Sequence, residues 1–458
     1  MRKLYKQDVI EILYGATLLG AGGGGSLALG LEMLDKTEKD GNKIELDLVD
    51  ISEIKDNEYG AMVAALGSPV AMLSEDKPIL GPDVVCAFKA FKTAYAGEGK
   101  AVNYLYSGEM GGLNTVVPML VAVLSDEDVD KRIKFLDVDS NGRAVPELNT
   151  TLAAANNFPP KPLGLGSLDG DEIIVYPVSD KAGENIARTL CMNYGMRIGF
   201  STWGMIKADM EKFLDCGAVT RAQNVGKAIL AMICGFLLVC TYMILVGMQG
   251  SDLGLPTTAI LTRAFGERGS TIASGLVISI SCIGWFGLNT VICGSSFCKI
   301  LNSATGVNLP LWISDIVWGL AMLLTAVFGI KALDLLNKIA VPALLIMLVY
   351  GLAHALGNGG KQFVTSYQPN EPISFIAGVT LAVSGFAVGA VLASDYTRYS
   401  KTRGDTAKSC FLGIFPASIL VLTIGGVLSV TTGSYDLTIM FAEMGLPVIG
   451  LLCLTLAT

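Results

Sequence analysis

The chain has 458 residues, 52% hydrophobic and 16% charged, against the roughly 25% charged of soluble domains. Residues 1–227 hold 23 of the 33 Lys/Arg and 32 of the 41 Asp/Glu, whereas residues 228–458 hold the remaining 10 and 9. An acidic soluble part (net charge −9) therefore precedes an apolar, membrane-like part (net charge +1), which excludes a wholly soluble enzyme and the basic face of a nucleic-acid binder.

The N-terminus, MRKLYKQDVIEILYG, carries Asp8 and Glu11 where a signal peptide needs an unbroken apolar core, so the soluble part should start in the cytosol. Val9, Ile12, Leu13 and Ala16 recur at helical spacing. The GAGGGG run at 20–25 therefore follows a helix, although a dinucleotide-binding GxGxxG must follow a strand. The amides of Gly22, Gly23, Gly24 and Gly25 can cradle an anion, or the loop is simply a tight turn. β-like runs at 44–49, 61–66, 102–106, 133–138 and 172–176, with helical stretches between, predict an α/β domain.

Glu109-Met-Gly-Gly-Leu-Asn114 directly follows the strand-like VNYLY, a loop position where a carboxylate and an amide can converge on a ligand. Asp137 and Asp139 share one face of the next run, ahead of Arg143 and Glu147. With Glu109 they form a candidate polar cleft for metal-assisted or acid–base hydrolysis. The alternative is solvated loop carboxylates paired with Arg143. The ten cysteines form no CxxC, and His354 is the single histidine, so no Cys/His metal set is expected.

Beyond residue 228, six apolar runs are each long enough to span a bilayer: about 228–248, 271–298, 309–330, 332–356, 373–394 and 407–431. A seventh, 445–458, would rise only about 21 Å, against a hydrocarbon core of about 30 Å, so the C-terminus is expected to be truncated. Alternate loops carry Arg263, Arg268, Lys331, Arg398, Lys401, Arg403 and Lys408 on one side, and only Lys299 and Lys361 on the other. The positive-inside rule puts the first set in the cytoplasm and hence residues 1–227 outside. That conflicts with the absent signal peptide unless a span is missing before residue 228.

Gly284-Trp-Phe-Gly-Leu-Asn289 sets an indole between glycines and an amide one turn later on the same face. The pair suits a planar heterocycle with amide edges; a helix–helix contact is the equal alternative. Gly385-Phe386 marks a point where the backbone can open and turn an aromatic toward a cavity. Asp395 and Arg398, at i,i+3, are expected to pair or to cap their helix. Pro342 and Pro416 predict kinks. Asp315 and His354 sit near span ends and read as interfacial groups.

The motifs LGLPTTAILTRAFGERGS (253–270, read as a loop), GWFGLN (284–289), IAVPAL (339–344) and ASDYTRYSK (393–401) resemble the nucleobase–cation symporter family of cytosine, allantoin and hydantoin permeases. The resemblance implies a leucine-transporter-type inverted repeat, Na⁺ or H⁺ as coupling ion, and Trp285, Asn289 and Phe386 as substrate contacts. Relative to that family, the first helix is absent and the chain stops within the eighth. Residues 1–227, through GAGGGG, GSPVAMLSEDKP (67–78), EMGGLN, PMLVA (118–122) and DVDSNGRAVPEL (137–148), resemble the S-methyl thiohydantoin desulfurase-like proteins associated with hydantoinases and oxoprolinases. This second resemblance implies Glu109, Asn114, Asp137, Asp139, Arg143 and Glu147 as the active cleft, with the family's C-terminal domain missing.

The expected chain is thus two-part. A soluble α/β domain (1–227) precedes an all-α polytopic membrane domain (228–458), an incomplete inverted-repeat fold with six full spans and a partial one. Its expected partners are a lipid bilayer and a small planar heterocycle, not nucleic acid. Three readings follow: a ring transporter carrying a ring-processing domain, a membrane-tethered enzyme of hydantoin or thiohydantoin breakdown, or a non-functional fusion of two neighbouring genes.

Overall fold

The computed structural model describes residues 1–67, 81–357, 373–433 and 440–441. The GSPVAMLSEDKP motif beyond Gly67 and the seventh apolar run lie outside these residues. The chain divides into two units, Met1–Leu230 and Ala231–Thr458.

Unit 1 begins β1 (Arg2–Tyr5), α1 (Lys6–Leu19), α2 (Leu27–Lys39), β2 (Glu45–Val49), β3 (Tyr59–Gly67), α3 (Pro82–Gly97), β4 (Val102–Ser107), α4 (Val116–Val123) and β5 (Lys134–Asp139). It continues α5 (Leu152–Ala155), β6 (Leu163–Gly166), β7 (Glu172–Val175), α6 (Asp180–Asn193), β8 (Arg197–Met205), α7 (Lys207–Phe213) and β9 (Asp215–Cys216), and takes in the first turns of α8 (Ala218–Leu253). One mixed sheet runs β1-β2-β5-β4-β3-β8-β6-β7, with β9 paired to β5. Strands β2, β5, β4 and β3 are parallel, and β1, β8, β6 and β7 add antiparallel partners.

Period-two alternation explains the layers. Along β3, Ala61, Val63 and Ala65 enter a core with Val9, Ile12 and Leu13 of α1 and Phe88 and Phe91 of α3, whereas Met62 joins Trp203, Ala187 and Met210 on the other face. All five β-like runs of the sequence are strands. The unforeseen central strand is β8, buried at every position; Arg197, Ser201 and Thr202 interrupt its apolar pattern, so it does not read as a core strand.

Helix α3 lies unusually close to the sheet. A Cβ at Gly166 or Gly199 would sit 2.1 Å from the carbonyl oxygen of Asp83, so only glycine fits there. The same Asp83, in the first turn of α3, accepts from Arg197 Nε at 2.7 Å and Nη2 at 3.0 Å, with both side chains at most 4% exposed.

Unit 2 is helical: α9 (Thr257–Ile272), a π-helical turn (Ala273–Ile278), α10 (Ser279–Thr305), α11 (Leu311–Val327), α12 (Ile330–Ala355), α13 (Phe375–Ser384), α14 (Ala387–Val391), α15 (Ala393–Thr397) and α16 (Arg403–Thr432). Among the described residues, four stretches are long and apolar enough to cross a membrane: 218–253, 257–302, 334–355 and 403–432. Two further runs that the sequence reads as spans form the shorter apolar helices 311–327 and 375–384. The second of these stops at Gly385-Phe386, where Phe386 adopts φ −135°, ψ 11° before α14 resumes, so the backbone opens at the expected place.

Two readings are corrected. The 253–270 segment is mostly helix α9, broken at Gly266 (φ 68°, ψ 177°), rather than a loop. Asp395 accepts from the Thr257 amide at 3.1 Å, in the first turn of α9, while Arg398 Nη2 donates to the Tyr399 hydroxyl. The carboxylate is thus used to cap the orphan amides at the start of α9 rather than its own helix. Small side chains bring α8 and α15 together: Ser394 and Thr397 hydroxyls donate to the carbonyls of Val246 and Gly247, each at 2.8 Å.

Removing one partner of the buried Arg197–Asp83 pair is expected to be severe. Asp83→Ala should cost unit 1 about 3–5 kcal/mol in denaturant unfolding; a loss below about 1 kcal/mol would show that the pair does not hold α3 to β8.

Candidate functional site

The carboxyl ends of β3 and β4 open onto a cleft with about 490 Å³ of empty space, part of it open to solvent. Met62, Phe200 and Trp203 line its apolar part, and Glu109, Asn114 and Glu147 its polar part.

Two glycine-rich segments hold the polar wall in place. Gly112 N–H donates to Gly25 O, and the amides of Leu113 and Asn114 both donate to Gly24 O at 3.0 and 2.9 Å. A Cβ on Gly24 would meet Met110 O at 2.4 Å, and φ at Gly24 is +68°, so glycine is required for contact and conformation alike. The loop follows α1 rather than a strand, and its carbonyls serve as a brace for the Glu109 loop; Gly22, at φ +91°, has open space beside it.

Asn114 ties this loop to the sheet. Its Oδ1 accepts from the Ala65 amide at 2.9 Å, and its Nδ2 donates to Glu109 Oε1 at 2.7 Å. Glu109 Oε2 accepts from the Val145 amide at 2.8 Å. Burial pushes the Glu109 carboxyl above the ordinary carboxylate range, opposed by these two donors. A carboxylate held this way is a stronger base than a solvated one.

The remaining acidic candidates have other partners. Asp137 caps α8: its Oδ1 accepts from Thr220 N–H at 2.9 Å and its Oδ2 from the Thr220 hydroxyl. Asp139 is fully buried, and its Oδ1 accepts from the amides of Asn141 (2.8 Å) and Gly142 (2.6 Å). Arg143 is exposed and reaches only the neighbouring Ala144 carbonyl. The structure therefore gathers Glu109, Asn114 and Glu147 in the cleft and leaves Asp137, Asp139 and Arg143 off its walls. Conversely, Phe200, Trp203, Thr151 and Glu184 line it without having been singled out from sequence. They come from β8, α6 and the approach to α5, and no local motif links them to Glu109.

Among the described residues, no group of three or more His, Cys, Asp or Glu is arranged to hold a metal ion. The side chains that line the cleft can supply hydrogen bonds and proton transfer.

In unit 2, Trp285 on α10 is 53% exposed, and added Cβ atoms on the flanking Gly284 and Gly287 would meet nothing within 4 Å. Asn289 is half-buried one turn on. Helix α11 is met by a different face, on which Thr290 lies beside Gly319 and the Ser314 hydroxyl donates to Gly294 O at 2.9 Å. The Trp285–Asn289 face is thus left open rather than consumed by this helix contact. Phe386 is 37% exposed at the break between α13 and α14. Among the described residues the ring pairs of this unit are Phe297–Trp318, Tyr350–His354 and Phe411–Phe415, so neither Trp285 nor Phe386 is stacked on another ring.

Asp139 makes unit 1 sensitive to pH. Burial lifts its carboxyl to about 7, against about 3.9 in an unfolded chain. The folded state therefore favours the protonated form, and that contribution is complete below pH 4 and lost as pH rises through 7. Asp139→Asn should melt close to wild type at pH 4 and above it at pH 8; melting curves whose separation is the same at both pH values would contradict this.

Residues 7–177 match the family model described as S-Me-THD-like, N-terminal domain, and residues 216–444 match the model for permeases of cytosine/purines, uracil, thiamine and allantoin. The chain is 30% identical over 218 residues to a cytosine permease of Escherichia coli K12, covering 47% of this chain and 50% of the permease. It is 26% identical over 264 residues to a hydantoin permease of Microbacterium maritypicum, covering 53% and 52%. The solved structure of Mhp1, a nucleobase-cation-symport-1 family transporter in a closed conformation with bromovinylhydantoin bound, aligns at 22% identity and TM-score 0.45, covering 50% of this chain and 55% of that one. The chain spans about half the length of the curated relatives it matches. With a model matching residues 216–444 of 458, the chain belongs to the family of permeases for cytosine/purines, uracil, thiamine and allantoin.

Proposed function

We propose that unit 2 takes part in moving a small planar lactam or ureide ring across a membrane, the class to which cytosine, allantoin and hydantoin belong. The family match over 216–444 carries this reading. The open Trp285–Asn289 face and the break at Gly385-Phe386 support it. An indole face offers stacking area, and an amide offers one donor and one acceptor to the ring edge. A half-open helix frees backbone groups to bind solutes where it lines a cavity. Coupling to Na⁺ or H⁺ belongs to the same proposal.

The Glu109 cleft favours a second activity in the same chain, ring processing by unit 1. A half-buried carboxylate held by two donors beside an apolar floor suits acid–base attack on a hydantoin or thiohydantoin ring. The common element is the ring class, so one half would move what the other alters.

Two measurements test these readings. Cells expressing the chain should accumulate radiolabelled cytosine, allantoin or hydantoin, with uptake abolished by Trp285→Ala; uptake no greater than in vector controls would refute transport by this chain. The purified full chain should alter hydantoin or 2-thiohydantoin in a manner that falls at least ~100-fold with Glu109→Gln. Turnover unchanged in that variant would remove Glu109 from the chemistry.

A further inference from the structure

Against the wall of the cleft beside Glu109 lies a hydrogen-bond donor without an acceptor among the described residues, its nitrogen covered by neighbouring atoms. Trp203 lines the cleft and is 1% exposed, and among the described residues nothing accepts its indole N–H. Buried polar groups are paired in about nine cases out of ten, so an unpaired one calls for a partner.

The backbone at the same residue is a second, independent sign. Trp203 adopts φ +50°, the left-handed region that bulky side chains avoid. It lies in the stretch where β3 and β8 lose register between Gly60 and Met62. The Tyr106 hydroxyl donates to its carbonyl at 2.7 Å, which holds the turned peptide in place. Strain of this kind, maintained by surrounding contacts, clusters at ligand sites.

The other cleft walls define what could complete the pairing. Glu109 spends one acceptor position of each oxygen on Asn114 and Val145, which leaves one on each oxygen for an incoming N–H. Met62 and Phe200 offer apolar surface. Three carboxylates, Glu109, Glu147 and Glu184, line the cleft, and among the described lining residues there is no Lys or Arg. Glu184 is already paired with Arg188, whose guanidinium also donates to Pro146 O at 3.1 Å, which leaves Glu109 and Glu147 as the carboxylates that disfavour an anionic ligand. A neutral ring presenting an N–H at one edge and a C=O or C=S at another meets each of these demands.

We propose that Trp203 is a ligand-positioning residue: its indole N–H donates to the C=O or C=S of a neutral cyclic amide whose ring N–H is accepted by Glu109. For the ring to reach this covered N–H the apolar wall beside it must yield, and Met62, unbranched and adaptable, lines the same cleft. The assignment rests on the reading of this cleft as the ring-binding site of unit 1, and it adds a donor from β8, a strand beyond the 7–177 family match.

The chain has four tryptophans, so the full-length protein labelled with ¹⁵N at the indole nitrogens gives four resolvable N–H signals. The Trp203 signal is assigned by elimination, using Phe variants of Trp285, Trp312 and Trp318. Titration with 2-thiohydantoin, and separately with hydantoin, should move the Trp203 proton downfield and slow its exchange with solvent. Trp203→Phe, which keeps a ring but removes the donor, should weaken binding about tenfold. If Glu109→Gln abolishes binding while the Trp203 signal stays still and Trp203→Phe binds as wild type, the cleft reading stands and Trp203 is not its donor. If binding of both probes ignores Glu109→Gln as well as Trp203→Phe, the cleft reading itself fails and takes the inference with it.

Discussion

The ion pair between Arg197 and Asp83 is the constraint on which the order of unit 1 rests. It is buried on both sides and made through two hydrogen bonds, so it joins the start of α3 to the start of β8 at one fixed distance. A pair out of contact with water holds its geometry because separating the charges leaves each in a low-dielectric surrounding. Gly166 and Gly199 admit the Asp83 backbone to the sheet surface. With α3 seated, β8 occupies the centre of the sheet and carries Phe200 and Trp203 to the cleft.

The polar side of the cleft is built by backbone rather than by charge. The glycine loop after α1 offers carbonyls to the amides of residues 112–114, and its lack of side chains allows the two segments to touch. Asn114 then passes this order on, bonding the β3 backbone with one end of its amide and Glu109 with the other. A carboxylate fixed by one side-chain and one backbone donor loses little entropy on meeting a ligand, which is the condition for a preorganised site.

Unit 2 follows different physics. Many large apolar residues of α10–α13 are exposed, as expected for helices whose solvent is lipid rather than water. Contacts between helices run through small and hydroxyl-bearing residues such as Gly250, Ser314, Ser394 and Thr397, the pattern by which helices associate where apolar surface gives no preference for protein over lipid. Of the charge contacts described, Arg403 with Asp252 joins helix ends, and Lys338 with Asp334 lies one turn apart within α12.

Local pattern alone revealed the division of the chain, the helix before the glycine loop, five of the strands, the apolar segments and the opening at Gly385-Phe386. Each of these depends on neighbours within about one helical turn or strand, so periodicity and composition suffice. Glu109 and Asn114 were legible for the same reason, lying in the loop directly after an obvious strand. Tertiary structure decided the rest. Asp137 and Asp139 look like catalytic carboxylates along a strand, yet their partners are Thr220, 83 residues away from Asp137, and the turn at 141–142. Asp395 looks paired with Arg398, yet it meets Thr257, 138 residues distant. Trp203 carries no local sign at all, because a donor becomes significant only when the fold has buried it and left it without an acceptor. Sequence determines which groups are available; which of them are already spent on holding the fold, and which remain for a ligand, depends on long-range contacts that no periodicity encodes.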